Sequence, residues 1–278
     1  MRPRRGVVQG LLRNGAGVAS ALFIVFLVLV ALFGPVIYSG DPLAISDSPM
    51  LHPGGSHLLG TDDLGRDVLA ELVYGVRVSL FVGCVAAFAA TVMGTLVGAI
   101  AGYAGGWVDT TIMRIAEFFQ VMPTFILAVV IVALLGPGLL RVVAVIALLS
   151  WPQTARIARG EVLRVSQLDF VNGVRCLGVP EWRILFREIM PNAIGPVLAL
   201  GTLIVGYAIL LEASLSFLGL SSPDVVSWGR ILSVGQRFLF SAWWLSVFPG
   251  LAIFATVLAF NLLGDALGDL LNPRRART

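Results

Sequence analysis

The chain has 278 residues, of which 58% are hydrophobic and only 13% are charged, and its formal net charge is +3. With a mean hydropathy of +0.93, this composition exceeds what a soluble core needs, excludes a soluble globular protein and predicts an integral membrane protein. The basic residues form no stripe with interleaved aromatic residues, so the charge does not indicate a nucleic-acid partner.

The first predicted element is the uncharged run VASALFIVFLVLVALFGPVIY within residues 16–38. At about 1.5 Å per helical residue, it is long enough to cross a hydrocarbon layer roughly 30 Å thick. A cleaved signal peptide is the alternative, because arginines precede the run. The run is longer than a usual signal core and lacks a convincing small-residue cleavage site, which favours a retained transmembrane helix.

The segment HLLGTDDLGRDVLAELVYGVRVSL, residues 57–80, follows in the first loop. Thr61 or Asp62 is expected to cap a helix here, because apolar residues recur at every fourth position from Leu64 to Leu80. The pattern predicts an amphipathic helix on the outer surface that leads into the second span. Periodicity alone leaves open a simple interfacial anchor.

Five further apolar segments predict five more spans, so the chain is expected to be an all-α membrane protein with six transmembrane helices. In the second span, Gly94, Gly98 and Gly102 repeat a G-x-x-x-G step that permits close approach of another helix. Pro123 and Pro152 are expected to kink the third and fourth spans. The five segments are residues 78–103, 111–135, 139–158, 193–213 and 246–268.

The distribution of arginine predicts the orientation, since all 19 basic residues are arginines. If the N-terminus is cytosolic, 14 arginines lie inside and 5 outside, as the positive-inside tendency favours. Both termini are therefore predicted to be cytosolic. The inside set is Arg2, Arg4, Arg5, Arg13, Arg114, Arg156, Arg159, Arg164, Arg175, Arg183, Arg187, Arg274, Arg275 and Arg277, and the outside set is Arg66, Arg77, Arg141, Arg230 and Arg237.

Both histidines, His52 and His57, lie in the first outer loop near several aspartates. A metal site is conceivable there, but two histidines in a loop rich in proline and glycine are more often ordinary loop residues, and no metal site is predicted. Cys84 falls in a span and Cys176 in a predicted cytosolic loop. A disulfide between them is therefore not expected.

The absence of lysine limits the chemistry that the chain can perform. A G-x-x-x-x-G-K-[ST] loop uses its lysine to reach nucleotide phosphates, so the sequence contains no standard phosphate-binding loop. The motifs H-E-x-x-H and G-x-S-x-G are also missing, and no histidine stands beside a serine inside a span. No catalytic residue is therefore predicted.

Acidic residues occur near the ends of two spans. Glu212, near the outer end of the fifth span, is expected to make a structural hydrogen bond or to be exposed, although binding of a peptide amine stays open. Asp265 and Asp269 share a face of the last helix, close to Arg274 and Arg275, which predicts local charge pairing. Neither set is assigned a functional role.

The longest predicted cytosolic loop covers about residues 159–191 and contains VNGVRCLGVPEWRILFREIMPN. Asp169 is expected to cap a short helix, which Gly178 ends in a left-handed conformation. Pro180 is expected to start a second helix, and Pro191 to break it just before the fifth span. From these residues alone, the hairpin either lies on lipid headgroups, anchored by its tryptophan and arginines, or docks a cytosolic partner.

The pattern D-F-V-x-x-V-R-x-L-G-V-P-x-W-R-I-L-F-R-x-I-M-P-N resembles the EAA loop of binding-protein-dependent ABC importer permeases, in the form found in the C-type subunits of dipeptide and oligopeptide importers. Residues 57–80, 211–229 (LEASLSFLGLSSPDVVSWG) and 261–274 (NLLGDALGDLLNPR) are similar to other segments of the same subfamily. In that family the loop forms a coupling helix that fits a groove in the ATPase subunit. Residues 159–191 are called the EAA loop below.

The resemblance transfers roles to individual residues. Gly178 matches the characteristic glycine of the loop and Pro191 its terminal proline, whereas residues 172–174 occupy the E-A-A positions. Asn172 lacks the carboxylate, and Gly173 would weaken an isolated helix by up to about 1 kcal/mol relative to alanine. The residues that the resemblance places in the ATPase-coupling site are Asp169, Phe170, Val171, Asn172, Gly173, Val174, Arg175, Gly178, Val179 and Pro180, with Pro191 terminating the loop.

The resemblance implies a type I ABC importer permease fold in the cell membrane, with residues 1–77 as the N-terminus, first span and outer amphipathic segment, and residues 78–278 as the permease core. It implies a peptide cargo, with a nickel complex or glutathione as alternatives. The implied partners are a second homologous permease, two cytosolic ATPase subunits, an extracytoplasmic substrate-binding protein and membrane lipid. ATP and Mg would bind the ATPase subunits, so the chain itself would be no enzyme and bind no cofactor.

A self-sufficient secondary transporter or channel is the competing class. Such a protein needs ionisable residues at mid-membrane for ion coupling and often has an internal repeat. Glu117 is the only obvious candidate in a span, and no repeat is visible. An integral-membrane enzyme is disfavoured by the scarcity of histidine and the lack of a nucleophile motif.

Overall fold

The computed structural model describes residues 14–38, 41–45, 47–222 and 225–271. Seven of the arginines used above to predict the orientation lie outside these ranges, namely Arg2, Arg4, Arg5, Arg13, Arg274, Arg275 and Arg277. The helices are α1 (Gly15–Ile37), α2 (Val68–Ala104), α3 (Gly106–Val121), α4 (Thr124–Leu135), α5 (Leu139–Ser166), α6 (Asp169–Cys176), α7 (Glu181–Arg183), α8 (Met190–Phe217), α9 (Trp228–Gly235) and α10 (Trp244–Leu271). A π-helix, Ile184–Ile189, joins α7 to α8, and a 3₁₀ turn, Gln236–Phe238, follows α9.

The six predicted spans are present in the described part of the chain. Five helical segments are long and apolar enough to cross a membrane: α1, α2, α5, the continuous run Glu181–Phe217 and α10. The bent pair of α3 and α4 supplies a sixth when it is counted as one span. The prediction of an all-α, six-helix architecture is therefore confirmed.

The third span is not the straight helix that residues 111–135 predicted. Its two parts, α3 and α4, are bent by 89°. Pro123 lies at the break, where it has no amide hydrogen with which to continue the α3 ladder. Met122 is extended (φ −78°, ψ 140°), since the residue before a proline avoids helical backbone. Pro152, in contrast, lies inside α5, which continues past it.

The second span begins earlier than predicted and has a different cap. Asp67, rather than Thr61 or Asp62, caps α2, because its Oδ1 accepts the amide hydrogens of Leu69 and Ala70 at 2.8 and 3.1 Å. The carboxylate of Asp62 is used within the preceding loop, where it accepts two other amide hydrogens. From its cap, α2 runs without interruption for 37 residues. The amphipathic helix expected to lead into the second span is thus the first part of α2 itself, and it begins at Val68.

Close packing of α2 on α5 follows the glycine face that the sequence predicted. A Cβ placed on Gly98 would lie 2.2 Å from the carbonyl oxygen of Ala155, and one on Gly94 would lie 2.6 Å from that of Trp151. Gly102 makes the same kind of approach one turn later. No side chain larger than hydrogen fits these positions without separating the two backbones. The small residues therefore serve helix approach inside one subunit.

The apolar core lies among the long helices. One buried cluster joins α1, α2, α8, α9 and α10, and a second joins α2, α4, α5 and α8. The first helix, α1, stays largely exposed and packs on α2 and α10. Arg77 of α2 holds it there, because its guanidinium donates hydrogen bonds to the carbonyl oxygens of Ala31 and Leu32. This frame positions the EAA loop at the far end of α5.

Candidate functional site

The first arm of the EAA loop is the short helix α6. Leu168 has extended backbone (φ −77°, ψ 145°) and occupies the N-cap position, so Asp169 is the first helical residue. The prediction that Asp169 caps this helix is therefore wrong by one residue, because the chain turns into the helix at Leu168. The carboxylate of Asp169 still lies in the first turn, where a negative charge stabilises a helix N-terminus.

Gly178 ends the first arm, as the sequence predicted. Its φ is +74°, in the left-handed region, and its amide donates a hydrogen bond to the carbonyl oxygen of Arg175 at 2.9 Å. A Cβ placed on Gly178 would meet no atom within 4 Å. The backbone conformation, rather than crowding inside this chain, is what favours glycine here.

The second arm runs into the membrane span without a break. Pro180 precedes α7 at its N-cap position, and the helical run then continues from Glu181 to Phe217. Pro191 lies in the first turn of α8 and does not interrupt the helix. The predicted break is wrong because the helix is π-helical just before Pro191, where the amide of Met190 bonds the carbonyl oxygen of Leu185. This register accommodates a proline, which has no amide hydrogen to donate.

One side of the EAA loop is fixed to the bundle by apolar packing. The π-helix and α6 contribute to a single buried cluster with the ends of α2 and α5 and the start of α8. Because protein interiors are close-packed, a displacement of α6 has to carry these helix ends with it. The buried members are Ala99, Val162, Val165, Val171, Ile184, Leu185, Ile189 and Ala193.

The other side of the loop is open. Among the residues that the family resemblance placed in the coupling site, Val171 is buried and Val174 and Val179 are half-buried. The structure therefore divides the set between an anchoring side and an outward side. The outward residues are Asp169, Phe170, Asn172, Gly173, Arg175, Gly178 and Pro180, and Pro191 is also exposed.

Several exposed apolar side chains of the loop were not assigned from the sequence. Leu177, directly before the turn, is 81% exposed, and Trp182 on the second arm is 63% exposed. Leu168 and Phe186 are exposed as well, as is Phe170, which the resemblance had already placed in the coupling site. Large apolar residues on the surface of an otherwise polar segment are typical of a contact with another protein or with a membrane surface. The signal in the sequence that could have identified them is their position among arginines and glutamates, where large apolar residues are unusual.

Tyr103 links α2 to both arms of the loop and was also missed by the sequence interpretation. Its hydroxyl donates a hydrogen bond to the carboxylate of Glu181, the first residue of α7. The guanidinium of Arg175, on α6, lies 5.9 Å from the centre of the Tyr103 ring, and its Nε is 3.9 Å from the Glu181 carboxylate. The three side chains therefore bring one helix end and both arms together.

A second polar link lies at the first residue of the EAA loop. The guanidinium of Arg159 on α5 donates two hydrogen bonds to the carboxylate of Asp109 on α3. Paired hydrogen bonds of this kind fix relative orientation more strongly than a single contact. The pair holds the first part of the bent span against α5 where α5 leads into the EAA loop.

Asp265 and Asp269 lie on one face of α10, as their spacing predicted. They line a cavity of about 780 Å³ between α5, α8 and α10, together with Glu161 and Arg164. The Glu161 carboxylate is 2.6 Å from the Arg164 guanidinium, one helical turn away. The C-terminal arginines expected to pair with the aspartates lie outside the described residues, so that pairing stays a prediction.

The two other acidic residues considered in the spans have structural surroundings. Glu212 is buried, and its Oε1 accepts a hydrogen bond from the Ser216 hydroxyl at 2.6 Å. The expectation of a structural hydrogen bond is therefore confirmed. Glu117 is exposed and pairs with Arg114, one turn away, at 3.1 Å. Its position does not resemble a buried site for ion coupling.

The histidines contact different neighbours. Nδ1 of His57 lies 2.7 Å from the carboxylate of Asp67, the cap of α2, and Nε2 lies 3.5 Å from that of Asp47. His52 packs on Trp244, with ring centroids 4.7 Å apart. Within the described residues, no group of three or more histidines, cysteines, aspartates or glutamates is arranged to hold a metal ion. Cys84 and Cys176 are free.

Most of the chain matches two known protein families. Residues 94–277 match the family described as the binding-protein-dependent transport system inner membrane component. Residues 3–53 match the N-terminal TM domain of oligopeptide transport permease C. The first match includes the EAA loop and every helix from the end of α2 onward, and the second includes α1.

Full-length relatives are also similar to the chain. The glutathione transport system permease protein GsiD of Pectobacterium atrosepticum and the dipeptide transport system permease protein DppC of Alkalihalophilus pseudofirmus are both 38% identical, covering 98% of this chain and 91% and 90% of the relatives. The probable D,D-dipeptide transport system permease protein DdpC of Escherichia coli is 35% identical, covering 92% and 87%. A solved structure of the MetNI methionine ABC transporter in inward-facing conformations has a TM-score of 0.56 at 19% identity, covering 71% of this chain and 96% of that chain, and supports the same fold.

Proposed function

Because the chain belongs to the family of binding-protein-dependent transport system inner membrane components, we propose that it forms half of the translocation pathway of an ATP-driven peptide importer. Its fold is that of a type I ABC importer permease. It is a transport subunit of this family and not an ATPase. The observation that carries the proposal is the EAA loop, which is anchored on one side and exposes apolar side chains on the other.

Coupling in this proposal is mechanical. ATP binding closes the pair of ATPase subunits, and the closure moves α6, which is seated in a groove of one ATPase. Val171 of α6 and Ile184 of the π-helix pack in one cluster with the ends of α2 and α5. The movement therefore passes to these helices and switches the pathway between inward-open and outward-open arrangements, and hydrolysis resets it.

The proposed assembly needs several partners. A second homologous permease completes the pathway as a heterodimer, two cytosolic ABC ATPase subunits bind the EAA loops, and an extracytoplasmic substrate-binding protein delivers the cargo. The assembly lies in membrane lipid and needs no nucleic acid. ATP and Mg bind the ATPase subunits, and this chain binds no cofactor and no metal; the absence of lysine from the sequence supports this division.

The proposed orientation places both termini and the EAA loop in the cytosol. The excess of arginine on that side, 14 against 5, supports it. Residues 1–77 then form the N-terminal part with the first span, and residues 78–278 form the permease core. Because α2 continues across residue 77, the two parts share one helix.

Peptides are the proposed cargo, and the names of the dipeptide permeases among the relatives support this choice. Glutathione is itself a peptide, and it is an alternative cargo because the relative GsiD is named as a glutathione transport permease. A nickel complex is the second alternative. The neighbouring genes provide a direct check, since a peptide-type or a nickel-type binding protein encoded beside this chain would separate the two.

Substitution of Gly178 tests the coupling role. Gly178→Arg is expected to insert normally, because the space around this residue within the chain is open, and to abolish ATP-driven uptake, because a long cation obstructs the ATPase contact. Gly178→Asn is the matched control, since asparagine tolerates a left-handed backbone and is short. Uptake is measured in proteoliposomes that contain the complete assembly. Uptake by Gly178→Arg equal to that of the parent would show that the docking role is wrong.

Purification distinguishes the competing class. A secondary transporter needs no ATPase, whereas this proposal requires one. The chain is purified in mild detergent and reconstituted with and without the ATPase subunits, and peptide uptake is measured with and without ATP. Recovery of uptake by the chain alone would contradict the importer function.

A further inference from the structure

A polar groove opens beside the bend between α3 and α4 and extends to Arg156, one of the arginines on the predicted cytosolic side. Its volume is about 440 Å³, within the range of small-molecule sites. Besides the bend, it is lined by the middle of α5 and by α8, both of which belong to membrane-spanning segments. Its polar lining consists of Gln120, Thr124, Ser150, Gln153, Arg156 and Tyr207.

Such a set of polar side chains cannot face lipid. Polar and ionisable residues inside a membrane face the bundle interior or a water-filled cavity, because hydrocarbon offers them no hydrogen-bond partner. Gln153 and Arg156 are nevertheless exposed on the surface of this single chain. The surface around them is therefore covered by water, by a polar solute or by another protein.

Ser150 indicates a polar ligand. It is only 6% exposed, yet its hydroxyl makes no hydrogen bond within the described residues, although a helical serine readily bonds the carbonyl oxygen four residues earlier. Buried polar atoms without a partner are rare in native proteins and point to a missing water or ligand. Ser150 belongs to the same groove lining as Gln120, Gln153 and Tyr207.

The charge of the groove selects the class of ligand. Arg156 supplies a guanidinium, and within the described part of the chain no aspartate or glutamate lines the groove. A guanidinium binds a carboxylate through two parallel hydrogen bonds. The amides of Gln120 and Gln153 donate and accept hydrogen bonds, as a peptide main chain does. The lining thus complements a short peptide with a free C-terminal carboxylate, and it does not complement a bare cation.

We propose that this groove is the part of the cargo pathway that the chain contributes, and that Arg156 binds the C-terminal carboxylate of a passing peptide. Gln120, Ser150 and Gln153 contact the main-chain amides of the peptide. The inference rests on the proposed peptide-importer function and adds to it the residues and the chemistry of the pathway. Gln120 and Thr124, on the two sides of the 89° bend, both line the groove.

Uptake and ATP hydrolysis, measured together in proteoliposomes with the complete assembly and a dipeptide, provide the first test. Arg156→Gln and Gln153→Leu are expected to lower the uptake per ATP hydrolysed about tenfold, since each removes hydrogen bonds to the cargo. Gln236→Leu, an exposed glutamine outside the groove, is the control and leaves the ratio unchanged. If both groove variants took up as much dipeptide per ATP hydrolysed as the parent, the proposal would be overturned.

Cysteine labelling separates a cargo path from a permease contact. Gln153→Cys is placed in a chain with Cys84→Ala and Cys176→Ala, and the full assembly is treated with a hydrophilic maleimide. The thiol is expected to react, and dipeptide with ATP is expected to slow the reaction. Leu148→Cys, an exposed apolar position on the same helix outside the groove, is the control and does not respond to the dipeptide.

Two labelling results would overturn the proposal. A thiol at residue 153 that never reacts would mean that the second permease covers the groove. A thiol that reacts at a rate independent of the dipeptide would mean that the cargo passes elsewhere. Failure of the proposed function gives a different result, because the unsubstituted assembly would then take up no dipeptide at all.

Discussion

The hydroxyl of Tyr103, in the last turn of α2, donates a hydrogen bond to the carboxylate of Glu181 at the start of the second arm of the EAA loop. Residues 78 positions apart in the chain thereby meet where a membrane-spanning helix ends. Arg175 on the first arm lies against both groups. This contact gives α2 a polar connection to the loop in addition to the apolar cluster beneath it.

A double-mutant cycle measures this connection. Tyr103→Phe and Glu181→Gln each remove part of the contact, and each is expected to lower ATP-driven uptake about twofold, because an exposed polar pair contributes only about 0.5 kcal/mol. Uptake by the double variant is expected to equal uptake by the less active single variant, since both substitutions remove the same interaction. Glu188→Gln, on the same loop, is the control. Effects that simply add would contradict a direct coupling of the two residues.

The glycine face of α2 yields a prediction about stability. Gly98→Ala is expected to destabilise the protein by about 1–3 kcal/mol, because the new methyl group would lie 2.2 Å from the Ala155 carbonyl oxygen and force α2 and α5 apart. Gly160→Ala is the matched control in α5, where a Cβ meets no atom within 4 Å. There, alanine favours the helix by up to about 1 kcal/mol.

Thermal unfolding of the purified chain in detergent checks this pair. The melting temperature of Gly98→Ala is expected to fall, while that of Gly160→Ala stays equal or rises. Equal shifts in the two variants would mean that the helix approach at Gly98 is not tight.

The spans and the shape of the EAA loop were predictable because their signals are local. Apolar runs of sufficient length identify membrane helices, and the glycine at residue 178 requires a left-handed turn whatever its surroundings. Pro123 likewise indicated a disturbance of the third span. The angle of 89° was not predictable, since a proline permits a break but the packing of α3 and α4 on other helices sets its size.

The errors arose where several residues offer the same local signal. Asp62, Asp63 and Asp67 can each cap a helix, and contacts with distant residues decide among them, since His57 holds the carboxylate of Asp67 at 2.7 Å. A proline usually marks a helix end, but at Pro191 the helix continues because the π-helical register before it accommodates the absent amide hydrogen. Tyr103 has no motif of its own, because its role depends on meeting Glu181 in the folded chain.

The cap of α2 is testable in the same unfolding assay. Asp67→Ala removes the acceptor for the amides of Leu69 and Ala70 and leaves Nδ1 of His57 without its carboxylate. The free energy of unfolding is expected to fall by about 1–2 kcal/mol. Asp63→Ala, in the same loop, serves as the control and is expected to change little. A larger effect at Asp63 would show that the wrong aspartate has been assigned as the cap.

The exposed apolar side chains of the EAA loop provide the last prediction. Leu177 is 81% exposed in the isolated chain and lies directly beside the turn at Gly178, so a partner groove that receives the loop buries it. Leu177→Ala is expected to weaken binding of the ATPase subunits by about tenfold, because truncating a buried leucine in a contact costs roughly 1–3 kcal/mol. Arg187→Ala is the control, an exposed charged residue on the second arm whose loss at a solvated position changes affinity little. Affinity is measured by titrating the ATPase subunits onto the permease in detergent, with melting temperature as a check that the chain stays folded. If Arg187→Ala weakened binding more than Leu177→Ala, charge rather than apolar contact would hold the ATPase on the loop.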